Sequence, residues 1–281
     1  MLRLLRTDLK RIIKDKLLLI TIFIGLGFAI IMPAVYKLIV GIMADAIEES
    51  EPIPGFTMSL YYSKTLFVSA FGLSNNFGLI MVILISIIIC KDFSYGTIRN
   101  KIISGNSRQN IYLSLFLATA VSLCLLMLVY SLITLGVSSI FFEYSPNGFN
   151  STEFVYFLET IGFEMLVFIM VAALVTFLSV SVKNSGLTIV IYVGAILFFT
   201  LIGTVIAMST GVLESVDEAS KTNELINNIM RFIPFYGTAT MIGVSDKYKL
   251  IDVFALLFDT IGYGALLYFI GFLIFKKKDI K

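Results

Sequence analysis

Long apolar runs separated by short charged segments set the pattern of this chain. The runs cover about 17–40, 70–90, 111–140, 158–182, 187–209 and 251–275. Each is close to or longer than the roughly 20 residues an α-helix needs to cross a bilayer. None alternates polar and apolar residues over about 10 positions, as a barrel strand does. The pattern predicts an all-α polytopic membrane protein with six transmembrane helices, folded as a single transmembrane domain over residues 1–281. The third run is about 30 residues, roughly 45 Å as a helix, so it must tilt or project from the bilayer. Runs four and five are joined by Val182-Lys183-Asn184-Ser185-Gly186. This predicts a tight helical hairpin with Gly186 at the helix stop.

Three segments read as non-spanning. In residues 2–16, Leu2, Leu5, Leu9, Ile12 and Ile13 share one helical face, and Arg3, Arg6, Lys10, Arg11 and Lys14 occupy the rest. That predicts an N-terminal amphipathic helix in the membrane interface. The apolar run that follows is too long for the core of a signal peptide and has no small-x-small site close behind it, so it is expected to be a retained first span. Residues 41–69, with Pro52, Pro54 and Gly55, form an expected outer loop. Residues 222–245 contain IMRFIPFYGTATMIGV, interrupted by Pro234, Gly237 and Gly243, and are expected to be re-entrant or interfacial before helix 6.

Composition agrees with a membrane class. Only 14% of residues are charged, against about 25% in soluble domains. The cations are unevenly placed. The N-terminus, the segment 91–108, Lys183 and the C-terminus carry most of them, whereas the intervening loops carry Glu143, Glu153, Glu214 and Asp217 among other acids. The positive-inside rule puts both termini and segment 91–108 in the cytoplasm. Tyr61, Tyr62, Tyr144 and Tyr156 are expected interface anchors, since the chain has no tryptophan.

Catalytic chemistry is poorly represented. The chain has no histidine, which removes the commonest general base and metal ligand. It has no G-x-x-x-x-G-K-[ST] phosphate loop, no H-E-x-x-H and no G-x-S-x-G. Cys90 and Cys124 lack paired spacing and read as packing residues. Asp259, in LLFDTIGYG, is the deepest carboxyl for an intramembrane protease but lacks such a motif. The expectation is a non-enzyme with no metal, no bound cofactor and no nucleic-acid partner.

KDFSYGTIRNKIISGNSR, residues 91–108, stands apart from its apolar surroundings. On a helix Tyr95, Ile98 and Ile102 would share a face, with Arg99 and Lys101 pointing away. Gly96-Thr97 gives backbone latitude near the start, Gly105 breaks the helix and Ser107 caps the next span. Such a helix offers apolar knobs and positive charge to a cytoplasmic partner; equally, it is a basic topology signal with no partner.

The order D-F-S-Y-G-T-I-R-N-K-I-I-S-G-N-S-R between spans two and three resembles the ABC-2 type permease family. Asp92 stands where glutamate is more usual there, and Gly96-Thr97 and Ser107-Arg108 match. The lysine common early in span three is absent, with Leu115 and Phe116 in that area. The resemblance implies a permease subunit of an ATP-driven exporter in a bacterial plasma membrane. It also implies a second permease copy or homologue, and separate cytoplasmic ABC ATPase subunits that bind ATP and Mg. The coupling helix would then comprise Asp92, Tyr95, Gly96, Thr97, Ile98, Arg99, Ile102, Ser107 and Arg108. Short outer loops and the lack of an aromatic ladder favour an amphipathic peptide, drug or lipid-like substrate over a polysaccharide.

Five polar residues fall inside or near spans four and six: Glu159, Glu164, Asp252, Asp259 and Tyr263. A central charge costs about 2.5–3.5 kcal/mol on insertion scales. Asp252, Asp259 and Tyr263 are expected on one helical face. They either line a substrate or ion path or hold helices together through hydrogen bonds. The first option supports an alternative function, an ion-coupled secondary transporter using Glu164 and Asp259.

Overall fold

The computed structural model describes residues 1–48, 62–72, 76–146, 148–213, 228, 232–233 and 250–278. The described residues contain no strand. Helix α1 spans Leu2–Lys14, α2 Lys16–Glu48, α3 Ser63–Ala70, α4 Asn76–Ser94 and α5 Thr97–Ile103. They are followed by α6 Arg108–Phe141, α7 Ser151–Val182, α8 Ser185–Leu213 and α9 Leu250–Lys277. Six of these, α2, α4, α6, α7, α8 and α9, are long and apolar enough to cross a membrane. A multi-pass membrane protein is what they indicate. Of the expected outer loop 41–69, residues 41–48 continue α2 and 63–69 belong to α3, while 49–61 lie outside the described residues, as does nearly all of the expected re-entrant segment 222–245.

The span boundaries shift for local reasons. The second span starts at Asn76, because Ser63–Ala70 forms a separate short helix that ends in a turn before Gly72. The fourth starts at Ser151, where the Asn150 side chain accepts the Glu153 N–H at 3.0 Å. That cap sets the helix start well ahead of the first purely apolar turn. The α7–α8 hairpin stops at Lys183, in the left-handed region at φ 60. Gly186 is not the stop; it lies in the first turn of α8, where the Asn184 side chain accepts its N–H at 2.9 Å.

Helix α7 is the hub and packs on α4, α6, α8 and α9. Its stretch Val167–Val175 is almost wholly buried, and Ala172 and Ala173 let neighbours approach. Hydroxyls in this apolar setting turn back on their own helices, as Thr176 does to the Ala172 carbonyl at 2.7 Å and Thr119 to Leu115 at 2.8 Å. Helices α2, α8 and α9 expose large apolar side chains, including Phe23, Phe198 and Phe269, as lipid-facing surfaces do. At the end opposite the basic segments, Lys64 pairs with Glu153 at 3.0 Å and lies over the Tyr156 ring. Tyr156 is therefore a buried packing residue and not an interface anchor. Burial, and then the nearby Glu153 charge, push the Tyr144 phenol up to about 12.

Helix α9 is interrupted by a π-helical turn at Phe258–Tyr263. The wider turn changes the angular register. Along this helix Asp259 is buried, while Asp252 and Tyr263 are half-buried.

Candidate functional site: a charged elbow between two spans

The segment between α4 and α6 folds as an elbow. Gly96 takes φ 67 and Gly105 φ 84, conformations that glycine adopts without a Cβ penalty. Between them α5 runs from Thr97 to Ile103. Ser107 caps α6, accepting the Asn110 N–H at 3.3 Å. The glycine break and the serine cap stand where the sequence placed them.

The faces of α5 do not. Tyr95 precedes the left-handed Gly96, so the chain turns before the helix begins and Tyr95 points out, 76% exposed. Ile98 is buried among Ile111, Tyr112, Leu115, Val180 and Phe275, and Ile102 packs on the same cluster. Lys101, expected to point away, is buried and pairs with Asp8 at 2.5 Å. The outward side consists of Tyr95, Arg99, Asn100 and Ile103, the last 73% exposed. Half-buried Thr97 lies between the two sides.

The inward side is held by ions. Asp8 of α1 is 1% exposed and accepts from Lys101 at 2.5 Å and from the Ser114 hydroxyl at 2.6 Å. Arg11 of α1 pairs with Asp92 at the end of α4, and Lys101 stands 3.9 Å from the same carboxylate. Lys91 pairs with Asp15 at 3.1 Å. Three acids and three bases thus tie α1, α4 and α5 together, and the Ser114 hydroxyl joins α6 to them. Burial lowers the Lys101 ammonium below the usual lysine range, partly offset by Asp8. Burial also lowers Arg11, against the opposing pull of Asp8 and Asp15. Burial would raise Asp15, but the Leu17 N–H and Lys91 outweigh it and hold the carboxyl below the usual range.

Two cations then close helix ends. Arg108 donates to the carbonyls of Lys276 at 2.8 Å and Lys278 at 2.9 Å at the C-terminus of α9. Lys278 donates to the Val180 and Ser181 carbonyls at the end of α7. Both satisfy acceptors that a helix end leaves open.

The mid-span carboxyls form a different arrangement. Glu159 is exposed, so it does not join an internal path. Glu164 is 7% exposed and Asp259 is 0% exposed. A Cβ built on Gly264 would lie 3.5 Å from the Met170 Cα, and one on Gly271 would lie 3.2 Å from the Phe177 Cα. Both pairs share one sequence offset, so α7 and α9 run parallel. Asp259 therefore falls near the level of Met165, next to Glu164 along α7. Among the described residues no cluster of three metal-ligating side chains occurs.

Residues 47–281 match the family described as "Protein of unknown function (DUF2705)". The chain belongs to the DUF2705 family. This overturns the expected membership of the ABC-2 permease family. The physical reason lies in the matching residues. Gly96 and Gly105 make turns, Ser107 caps a helix and Arg108 closes another, and an elbow between two spans needs such residues in any family. No curated protein matches the chain.

The elbow also holds residues that the sequence did not single out. Asp8 is the clearest: it sits among Leu5, Leu9 and Ile12 on the inner side of α1, and a lone acid on an apolar stripe signals a buried cation elsewhere. Ile103 is the other, the exposed apolar residue of α5.

Proposed function

We propose that this chain is the membrane subunit of an ATP-driven exporter, with ATP and Mg held by a separate cytoplasmic ATPase that docks on the outward side of the elbow. The observation that carries the reading is the two-sidedness of that elbow. Its inner side is fixed by Ile98 and by ion pairs from Asp92 and Lys101, while Tyr95, Arg99 and Ile103 face outward. A push on that surface would reach α6, α7 and α9 through the cluster around Ile98. To drive transport the ATPase must bind one state of the membrane subunit better than the other. The absence of a phosphate loop in the sequence fits ATP bound in trans. The charge bias supports cytoplasmic termini and elbow, in a bacterial plasma membrane. The working unit would contain a second copy or a homologue, and the substrate class would be an amphipathic peptide, drug or lipid-like molecule.

The test is affinity purification in mild detergent with co-purifying proteins identified by mass spectrometry. The comparison is wild type against a combined Tyr95→Ala, Arg99→Glu, Ile103→Ala variant. These side chains are exposed, so the variant should insert and melt like wild type. A stoichiometric ATPase present with wild type and lost from the variant supports the reading. Its absence from wild type, or its full retention by the variant, overturns it.

A second reading, an ion-coupled secondary transporter, is favoured by one observation: two buried carboxyls, Glu164 and Asp259, lie near one level on parallel helices, and Asp259 is carried by a π turn. Such turns are frequent at functional sites. That reading predicts transport that survives ATP depletion and stops with Asp259→Asn.

A further inference from the structure

Helix α1 has two charged sides with opposite character. Its inner side is neutralised: Asp8, Arg11 and the adjoining Asp15 all have partners in the elbow cluster. Its outer side is not. Arg3, Arg6, Lys10 and Lys14 are exposed, and none takes part in an ion pair among the described residues. Their spacing of three and four places them in one stripe. Asp8 and Asp15 are the acids of residues 1–16 and both turn inward, so the stripe contains no counter-charge. Leu2 and Ile13, three helical turns apart, border it and are 82% and 61% exposed. Helix α1 meets the first span directly, with Asp15 as the joint.

We infer that the outer side of α1 is a docking surface for anionic phospholipid headgroups, and that lipid bound there fixes the position of the elbow helix. The charge pattern selects the ligand. A cationic stripe with an exposed apolar border at the foot of a span matches a membrane surface, where Leu2 and Ile13 enter the acyl boundary and the cations meet phosphates. A soluble acidic protein would not require that apolar border. The transmission path is equally local. Asp8 lies one turn or less from Arg6 and Lys10 along α1, and its carboxylate holds Lys101 of α5 and Ser114 of α6. Leu4 packs on the cluster that contains Ile98 and Phe275. Any lipid that restrains α1 therefore restrains α5. The inference does not depend on what docks on the elbow.

The experiment reconstitutes the whole chain in two kinds of nanodisc, phosphatidylcholine alone and an equal mixture of phosphatidylcholine and phosphatidylglycerol with the same acyl chains. Backbone hydrogen exchange is followed over residues 97–104. The expected result is exchange slowed at least about tenfold by the anionic lipid, reversed by high salt. The same amides in a combined Arg3→Gln, Arg6→Gln, Lys10→Gln, Lys14→Gln variant should show no lipid dependence. The wild-type comparison across lipids and salt stands even if that variant inserts poorly. Equal exchange in both discs overturns the inference, as does lipid-dependent protection of α1 that leaves 97–104 unchanged. Equal protection by soluble polyaspartate in phosphatidylcholine discs would assign the stripe to a soluble acidic chain and overturn the membrane assignment.

Discussion

The elbow and the middle of the α7–α9 pair both bury ionisable groups, but by opposite means. In the elbow, acids and bases alternate across helices, so Asp8 with Lys101 and Asp92 with Arg11 compensate each other. In mid-span, Glu164 is buried with no cation beside it among the described residues, between helices brought close at Gly264 and Gly271. Paired charges fix distance and direction, which suits a part that must pass on displacement. A buried carboxyl with no cation beside it fixes little and suits a site that changes protonation or accepts a polar group.

That contrast can be broken by substitution. The largest effect should follow Asp8→Ala, which leaves Lys101 buried without its nearest partner. Removing one member of a buried pair costs about 3–5 kcal/mol, readable by denaturation in detergent micelles. Adding Lys101→Met should restore a large part of the loss. Next is Gly271→Leu, whose side chain would meet the Tyr112 ring and the Phe177 backbone. Overpacking of this kind costs about 1–3 kcal/mol, and separation of α9 from α7 should appear as faster hydrogen exchange in both. Glu164→Gln should be smaller, under about 1 kcal/mol, because a neutral isostere replaces a carboxyl that has no cation beside it among the described residues. A cost as large as that of Asp8→Ala would show that Glu164 is held by a charge.

The smallest effect belongs to Asp15→Asn at neutral pH. The folded carboxyl is held below its usual value. Its stabilisation is therefore complete above about pH 4 and fades as pH falls through the lowered folded value. Melting curves of wild type and variant should differ by a small constant amount near neutrality and converge in acid. A difference that grows as pH falls would reverse the sign and contradict the Lys91–Asp15 pair.

The spans were legible because length and apolarity alone determine them, and the glycine and serine positions of the elbow were legible because turns and caps are local. Tyr95 was misplaced by a single dihedral: with Gly96 left-handed, counting helical positions across it joins two segments that point differently. Lys101 was misread because its partner Asp8 is 93 residues away. A basic residue beside Arg99 looks solvated until the fold supplies the acid. The π turn in α9 was not read from the sequence, since no residue pattern in Phe258–Tyr263 separates one helical register from the other. The short glycine and serine pattern pointed to a different family from the one the chain belongs to, because helix ends draw on few residue types.

The central claim is that a cytoplasmic ATPase drives this chain through the outward side of the elbow. The most direct measurement places a photo-crosslinking amino acid at Ile103 in cells, with a matched probe at Phe198 on the exposed face of α8 as control. The account predicts a single protein adduct at Ile103, identified by mass spectrometry as a nucleotide-binding subunit, and none of it at Phe198. Adducts to lipid alone at Ile103, or the same proteins at both positions, would contradict it.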